Sequence, residues 1–184
     1  MTPYKIAFVG PPSSGKTVAA TLMNNFFKEM GVDSVLVPEY ARIHMEATGK
    51  PISSYGEQLA VTTVQSDLEK AILRSKPEII ITDSPVFLGE VFHKTYYPEV
   101  SPKHFITLSQ QHKYDIVFRL TRLPLVNDGI RYQTEEEQAL IDESINKTID
   151  AYASSGLIHS VIPLSNVFLE RQQTIRDVIH RRWC

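Results

Sequence analysis

Residues 10–17 have the sequence GPPSSGKT, which matches the phosphate-binding pattern G-x-x-x-x-G-K-[ST] at every fixed position. The glycines of this pattern let the backbone wrap closely around a phosphate, so that successive N–H groups and the start of the next helix point at the anion. An apolar run, YKIAFVG, precedes the loop, and a helical pattern follows it. The alternative is a chance glycine-rich turn, which is not expected to lie between a strand and a helix in this way. We therefore predict a nucleotide-binding loop made of Gly10, Pro11, Pro12, Ser13, Ser14, Gly15, Lys16 and Thr17.

Two side chains of the loop have specific roles in this pattern. Lys16 is expected to reach the β- and γ-phosphates, and the Thr17 hydroxyl is expected to bind the Mg²⁺ that accompanies them. The chain contains no Asn-Lys-x-Asp motif for reading guanine, so ATP is the default nucleotide. We therefore predict ATP and Mg²⁺ as cofactors.

The rest of the chain alternates between strand and helix patterns. Four further apolar runs predict strands, namely SVLVP (34–38), PEIIITD (77–83), YDIVFRL (114–120) and SVIPL (160–164). Strands that alternate with helices pair in parallel through right-handed crossovers, and ligands then bind beyond the carboxyl ends of the strands. The sequence predicts a three-layer α/β fold, with a five-stranded parallel sheet and helices on both faces.

Helical periodicity predicts which side chains face the core. Segment 53–75 is predicted to form one or two helices with inward candidates Leu59, Thr62 or Thr63, Ser66 and Leu73. A T-x-x-E capping box at Thr134 and Glu137 begins a helix whose inward stripe is Ile141, Ile145, Ile149 and Ala153. The last helix places Ile175, Val178, Ile179 and Trp183 on one face.

Composition limits the class of protein. The 184 residues, 42% of them hydrophobic, suit one domain, which we assign to residues 1–184. The 19 basic and 21 acidic residues are interspersed and give a net charge of -2, which argues against a nucleic-acid partner. The single cysteine, Cys184, excludes an internal disulfide framework, and no apolar run approaches the roughly 20 residues that span a bilayer. We expect a cytoplasmic protein that contacts no membrane.

Asp83 ends the most apolar of the predicted strands. At that place a carboxylate holds a water on Mg²⁺, as a Walker B aspartate does. The sequence DSP also suits the start of a helix, where an aspartate caps the N-terminus. Both roles can coexist, and we assign Asp83 to metal binding and catalysis with the helix cap as the alternative.

The sequence EYAR follows the second strand, at the same sheet edge as the phosphate loop. Glu39 is a candidate base for an acceptor hydroxyl, or a ligand of a Mg²⁺-bound water, and a solvated loop glutamate is the alternative. Arg42 is a candidate acceptor contact or a plain surface cation. We assign Glu39, Tyr40 and Arg42 to substrate binding.

A loop from about residue 121 to 134 is predicted to close over the phosphates as a lid. Arg122 and Arg131 flank its centre and would place guanidinium groups against the charge on the transferring phosphoryl group. We assign Arg122 and Arg131 to catalysis and Asp128 to substrate binding. A solvated arginine is the alternative, more so for Arg119, which alternates with the inward residues of a strand.

Four segments in this order, GPPSSGKT, PEYAR, ITDSPVFLGEVF and VNDGIR, resemble the ribosylnicotinamide kinase domain of the bacterial NAD-biosynthesis regulators and the small AAA-like P-loop kinases related to it. The similarity spans nearly the whole chain. Glu-Tyr-x-Arg combined with Asp-Gly-x-Arg is more specific than the phosphate loop alone, and it favours a kinase over a motor or a switch.

The resemblance implies a P-loop fold of the nucleoside or nucleotide kinase type, with the strand of Asp83 beside the strand of the phosphate loop. It also implies phosphoryl transfer from a nucleoside triphosphate to a small hydroxyl-bearing acceptor. By matching position, Glu39 and Arg42 face the acceptor, Asp83 serves the metal, and Asp128 and Arg131 form the lid.

Three departures concern the acceptor. Pro85 stands where the ribosylnicotinamide kinases have a second acid, Leu125 where they have an aromatic residue, and Ile43 where they have an acid. The resemblance therefore carries over the type of reaction, and nicotinamide riboside is not assigned as the acceptor.

Three functions are open on the sequence. The leading one is an ATP- and Mg²⁺-dependent phosphotransferase that acts on a hydroxyl of a nucleoside, a nucleotide or a related small metabolite. The second is a nucleotide-binding regulatory NTPase without a small-molecule acceptor, whose lid orders around the nucleotide. The third is a phage-type kinase that acts on modified bases in DNA, against which the acidic balance argues. The oligomeric state is open too, with a homodimer among the alternatives.

Overall fold

The computed structural model describes residues 2–124 and 133–183. Within them the chain forms five strands: β1 (Tyr4–Val9), β2 (Ser34–Val37), β3 (Ile79–Asp83), β4 (Tyr114–Leu120) and β5 (Ile158–Leu164). They make one sheet in the order β2-β3-β1-β4-β5, and every neighbouring pair is parallel. The strand that ends at Asp83 lies beside the strand that leads into the phosphate loop, as the resemblance implied.

The described residues contain seven helices: α1 (Lys16–Glu29), α2 (Tyr40–Thr48), α3 (Tyr55–Ser75), α4 (Phe87–Tyr96), α5 (Lys103–Ser109), α6 (Glu135–Ser154) and α7 (Phe168–Trp183). The predicted capping box begins α6, because the Thr134 hydroxyl accepts from the Glu137 N–H and the Glu137 carboxylate accepts from the Thr134 N–H. In the described part of the chain, no helix is both long enough and apolar enough to cross a membrane.

Each face of the sheet carries a layer of helices, because consecutive residues of a buried strand point to opposite sides. In β1, Ile6 and Phe8 pack into one core with α1 and α7. Ala7 and Val9 pack into a second core with α4 and α6. All five residues of β3 are buried, which explains the continuous apolar sequence of that strand. The predicted three-layer α/β fold with a five-stranded parallel sheet is confirmed.

Some predicted inward residues are wrong. Segment 53–75 contains a single helix, α3, in which Thr62 and Ser66 are buried as predicted while Leu73 is exposed. In α6, Ala153 is exposed, and Tyr152 takes the inward place beyond Ile149. In α3 the inward places are instead taken mostly by polar residues, among them Gln65 and Glu69.

The helix α2 was not predicted from the sequence. It begins directly after Glu39 and ends before Gly49, which has a left-handed backbone with φ of 65°. None of its residues is buried. The helix is only nine residues long, which is shorter than the window of about 11–18 residues over which helical periodicity is recognised.

The inner face of α3 is polar, and it contributes Ser66 and Glu69 to a group of buried polar side chains. We call this group the core cluster; its other members are Lys5, His112 and Tyr114. Lys5 Nζ lies 2.5 Å from Glu69 Oε2 and 3.0 Å from His112 Nδ1. His112 Nε2 lies 2.8 Å from Ser66 Oγ, and the Tyr114 hydroxyl donates to Glu69 at 3.0 Å. Burial alone would raise the pKa of Glu69, but the Lys5 charge and the His112 hydrogen bond outweigh it and lower that pKa.

Candidate active site

The phosphate loop forms a closed turn between β1 and α1. Ser13 and Gly15 have left-handed backbones, with φ of 66° and 83°, and the Ser14 N–H donates to the Pro11 carbonyl at 3.2 Å. At Gly10, a Cβ would lie 2.5 Å from Ser14 Oγ and 2.9 Å from the Leu120 carbonyl oxygen. A side chain at position 10 would therefore collide with β4, which explains the first glycine of the motif.

Positive charge and backbone donors converge inside this turn. The helix α1 begins at Lys16, and no side chain caps its N-terminus. The Lys16 ammonium donates to the carbonyls of Gly10 and Pro11 at 3.1 and 3.4 Å, so it lies across the loop. The positive end of the helix dipole adds to this charge, and together they favour an anion.

Asp83 is buried at the end of β3, and its environment disfavours a negative charge. Burial raises the pKa of Asp83 to about 6, and the nearby Glu39 charge adds to that rise. The Lys16 charge, a hydrogen bond with Thr17 and the Arg42 charge act in the opposite direction. These five residues therefore lie together at the carboxyl edge of the sheet, and we call Lys16, Thr17, Glu39, Arg42 and Asp83 the edge cluster.

The edge cluster fits a hydrated magnesium ion. One carboxylate oxygen of Asp83, Oδ1, is buried and has no hydrogen-bond partner in the described residues, while Thr17 lies beside the same carboxyl group. Hydroxyl and carboxylate oxygens are the ligands that Mg²⁺ takes in such sites, with phosphate oxygens and water completing the shell. In the described part of the chain, no group of three or more His, Cys, Asp or Glu side chains forms an all-protein metal site.

Glu39, Tyr40 and Arg42 approach the site from α2. Glu39 is the N-cap residue of the helix, and the Tyr40 backbone N–H donates to Gln65 Oε1 at 2.8 Å, which holds the start of α2 against α3. Arg42 donates from Nε to Glu46 at 2.8 Å. The EYAR segment is thus fixed at the sheet edge where the sequence placed it.

A small pocket of about 40 Å³, which we call the α2–α3 pocket, opens between α2, α3 and the start of α4. Its lining is mixed, with polar residues Glu39, Gln58, Thr62, Gln65 and Ser84 and apolar residues Ala41, Val61, Pro85, Val86, Leu88 and Phe92. Gln65 Nε2 and Ser84 Oγ are buried there without a hydrogen-bond partner in the described residues. Buried polar groups are normally paired, so these two atoms mark a place for a polar ligand. Sequence reasoning missed Gln65 because an inward glutamine looks like a surface residue in a helical pattern.

A groove of about 340 Å³ lies on the other side of Thr17. It runs along the exposed face of α1, past Val18 and Thr21, toward Phe168 at the start of α7. Phe168 is half exposed. An exposed aromatic ring beside a phosphate loop is suited to contact a planar base.

Of the segment predicted to form a lid, about residues 121–134, the structure describes only the two ends. Arg122 is exposed, and its Nη1 lies 3.5 Å from the Glu135 carbonyl at the start of α6. Asp128 and Arg131 lie outside the described residues, and so does Leu125. Arg119 is not the solvated arginine that was its alternative: it is buried, its guanidinium pairs with Asp142, and its Nε donates to Asn146 at 2.9 Å.

Gln138 is a site residue that the sequence did not indicate. It is buried on α6, and its Nε2 donates to the carbonyls of Pro12 and Leu123 at 2.7 and 3.0 Å. One side chain thus ties the phosphate loop to the first residues of the lid segment. Only the folded contact reveals this role, because Pro12 and Gln138 are far apart in the sequence.

Comparison with known proteins places this geometry among related folds. Residues 5–168 match the model of a protein family described as "AAA domain". The structure is similar to that of NadR protein in complex with NR, with a TM-score of 0.75 and 18% identity over 98% of this chain and 50% of that chain. This chain therefore spans half the length of that NadR chain.

Deoxyadenosine kinase from M. mycoides has a similar fold in two further structures. With the products dCMP and a flexible dCDP bound, the TM-score is 0.62 at 16% identity, over 96% of this chain and 97% of that chain. With dCTP bound, it is 0.61 at 15% identity, over 96% and 99%. No curated protein matches the chain. The predicted resemblance to P-loop kinases of the nucleoside type is confirmed at the level of the fold.

Proposed function

Because this chain belongs to the AAA-domain family matched over residues 5–168 and has a P-loop kinase fold, we propose that it is an ATP- and Mg²⁺-dependent phosphotransferase. It moves the γ-phosphoryl group to a hydroxyl of a nucleoside, a nucleotide or a related small metabolite. The observation that carries the proposal is the shared edge of the sheet: Glu39 lines the α2–α3 pocket and also acts on Asp83, which lies beside Lys16 and Thr17 of the phosphate loop.

The donor lies along the phosphate loop and the groove of α1. Lys16 and the N–H groups of the loop bind the β- and γ-phosphates, and the base lies toward Phe168. Thr17 and Asp83 would hold Mg²⁺, which neutralises charge on the phosphates when it is bound. The lid residues Arg122, Arg131 and Asp128 are proposed to close over the donor and exclude water.

The acceptor is proposed to bind at the α2–α3 pocket, with one of its groups in the enclosed space. Its hydroxyl points toward Glu39. We propose Glu39 as the base because the Asp83 carboxyl group already has a hydrogen bond with Thr17. Gln65 Nε2 and Ser84 Oγ supply the unpaired polar groups that an acceptor with carbonyl, amide or hydroxyl groups would satisfy. Pro85 lines this pocket and supplies no carboxylate, so Glu39 is the lining carboxylate proposed to face the acceptor.

An acceptor panel tests the proposal. ATP consumption with Mg²⁺ is measured with ribonucleosides, deoxynucleosides, their monophosphates, nicotinamide riboside and DNA containing modified bases. We expect one acceptor class of small molecules to stimulate turnover strongly. Stimulation by DNA alone would identify a DNA kinase, and slow hydrolysis without any acceptor dependence would identify a regulatory NTPase; either result contradicts the proposal.

Lys16→Ala is the matched control for this panel. Its loss removes a charged donor aimed at the transferring group, so we expect the rate to fall on the order of 10²–10³-fold. Undiminished activity in this variant would mean that the turnover does not come from the proposed site.

A further inference from the structure

Arg171 is a buried cation that has no role in the proposed chemistry. It lies in the first turn of α7 and is 4% exposed. Its Nε donates to the Ser165 carbonyl at 3.1 Å. Among the described residues, no carboxylate forms an ion pair with it, although buried arginines are normally paired.

The guanidinium lies directly against the phosphate loop. If Gly15 carried a Cβ, that atom would lie 2.7 Å from Arg171 Nη1. Gly15 is the N-cap residue of α1, where the helix dipole and the backbone N–H groups already favour an anion. Lys16, the next residue, adds a second cation. Two side-chain charges and a helix N-terminus therefore lie around the same loop.

This arrangement is unfavourable without an anion. Burial lowers the pKa of Arg171 because the guanidinium loses water and gains no negative partner. Asp83, a carboxylate of the edge cluster, is itself engaged with Lys16 and Thr17. An anion in the loop would supply the missing counter-charge.

We propose that Arg171 is a nucleotide-positioning residue, whose guanidinium binds the polyphosphate held in the loop of residues 10–17 from the side of α7. This inference rests on the proposed function only in so far as the loop binds a nucleotide. Arg171 and Phe168 stand three residues apart on the same helix, so α7 contacts the nucleotide at its phosphates and at its base. The residue acts on binding, and it is not required to take part in the transfer step.

The test measures binding rather than turnover. Titration calorimetry gives the Kd of ADP and of pyrophosphate with Mg²⁺ for the wild type, Arg171→Met and Arg171→Lys. Methionine keeps an unbranched chain of similar length without charge, and lysine keeps the charge without the fork. Arg181→Met is the matched control, because Arg181 is an exposed arginine on the same helix.

We expect Arg171→Met to weaken both ligands about 10-fold or more, Arg171→Lys to weaken them less, and Arg181→Met to leave them unchanged. Without ligand, Arg171→Met should unfold at the same temperature or higher, because an unpaired buried charge has been removed. A purely structural role predicts the opposite: a lower unfolding temperature with an unchanged Kd.

Wild-type affinity in folded Arg171→Met would overturn this inference and leave the proposed function intact. If the wild type itself fails to bind ADP and pyrophosphate, the proposed function falls as well. The two failures are therefore distinguishable in one set of titrations.

Discussion

The core cluster and the phosphate-loop edge of the sheet both bury charges, but only the core cluster pairs all of them. Lys5, Glu69 and His112 lie within hydrogen-bond or ion-pair distance of one another. At the edge, Asp83 Oδ1 has no partner in the described residues, and Arg171 pairs with no described carboxylate. Both regions bury charged groups, so burial alone does not explain the difference.

The difference indicates what each group of charges is for. A buried ion pair whose hydrogen bonds are satisfied holds elements together, and here it fixes α3 against β1 and β4. A buried polar group without a partner costs free energy in the isolated chain. That cost is removed only when a ligand supplies the partner, so the unpaired edge is the part of the molecule suited to bind one.

The largest expected effect on stability is in the core cluster. Glu69→Gln leaves Lys5 as a buried cation without a counter-charge, and we expect a loss of about 3–5 kcal/mol in the free energy of unfolding. Denaturant titration measures it. Glu29→Gln, at an exposed position, is the control and should change stability by less than about 0.5 kcal/mol. A loss below about 1 kcal/mol for Glu69→Gln would show that the pair contributes little.

A smaller effect with the opposite sign is expected at the edge. The pKa of Asp83 is raised to about 6 in the folded chain, so the folded state binds more protons than the unfolded one between about pH 4 and that value. Stability therefore falls as the pH rises through this window. At about pH 7.5, Asp83→Asn should stabilise the ligand-free chain by about 1–3 kcal/mol while reducing phosphoryl transfer.

Thermal unfolding without nucleotide, paired with the activity assay, checks this prediction. A destabilised Asp83→Asn variant would mean that the carboxylate is compensated in the free protein. The edge would then resemble the core cluster, and the contrast between the two regions would be lost.

The smallest expected effect on stability concerns His93, which belongs to neither of the two regions. It is buried, and neither of its ring nitrogens has a hydrogen-bond partner in the described residues. Burial lowers the pKa of His93, so the unfolded chain takes up the proton more readily and stability falls as the pH drops below about 6.5. Phe105 and Tyr55 surround the ring, which makes phenylalanine a fitting replacement.

His93→Phe should therefore lose less stability than the wild type between about pH 7.5 and 5.5, by about 1 kcal/mol. Denaturant titrations at both pH values give the difference, and the other histidines cancel because both proteins contain them. Parallel pH profiles for the two proteins would show that His93 does not contribute to acid sensitivity.

The fold was predictable where local pattern and buried environment agree. The apolar run of β3, the glycines of the phosphate loop and the Thr134 capping box each depend on nearby residues, and each lies where the sequence placed it. On the inner face of α3, Thr62 and Ser66 were predicted, but Gln65 and Glu69 were not. Gln65 and Glu69 point inward because Lys5, His112 and the α2 backbone meet them there, and these partners are distant in the sequence.

The candidate site follows the same rule. The chain order placed Lys16, Glu39 and Asp83 at one sheet edge, because parallel strands bring their carboxyl ends together. Arg171 and Gln138 could not be found by pattern, since each acts through contact with the phosphate loop from a distant helix. The roles of Asp128 and Arg131 stay predictions, because both lie outside the described residues.

The most direct test of the contrast between the two regions is calorimetric titration of ADP with Mg²⁺ into the wild type, Lys16→Ala and Glu69→Gln at a temperature where all three are folded. We predict that Glu69→Gln binds within about threefold of the wild type and that Lys16→Ala binds about 10-fold or more weakly. Equal affinity in the wild type and Lys16→Ala, or a loss confined to Glu69→Gln, would contradict the assignment of the unpaired edge to the nucleotide.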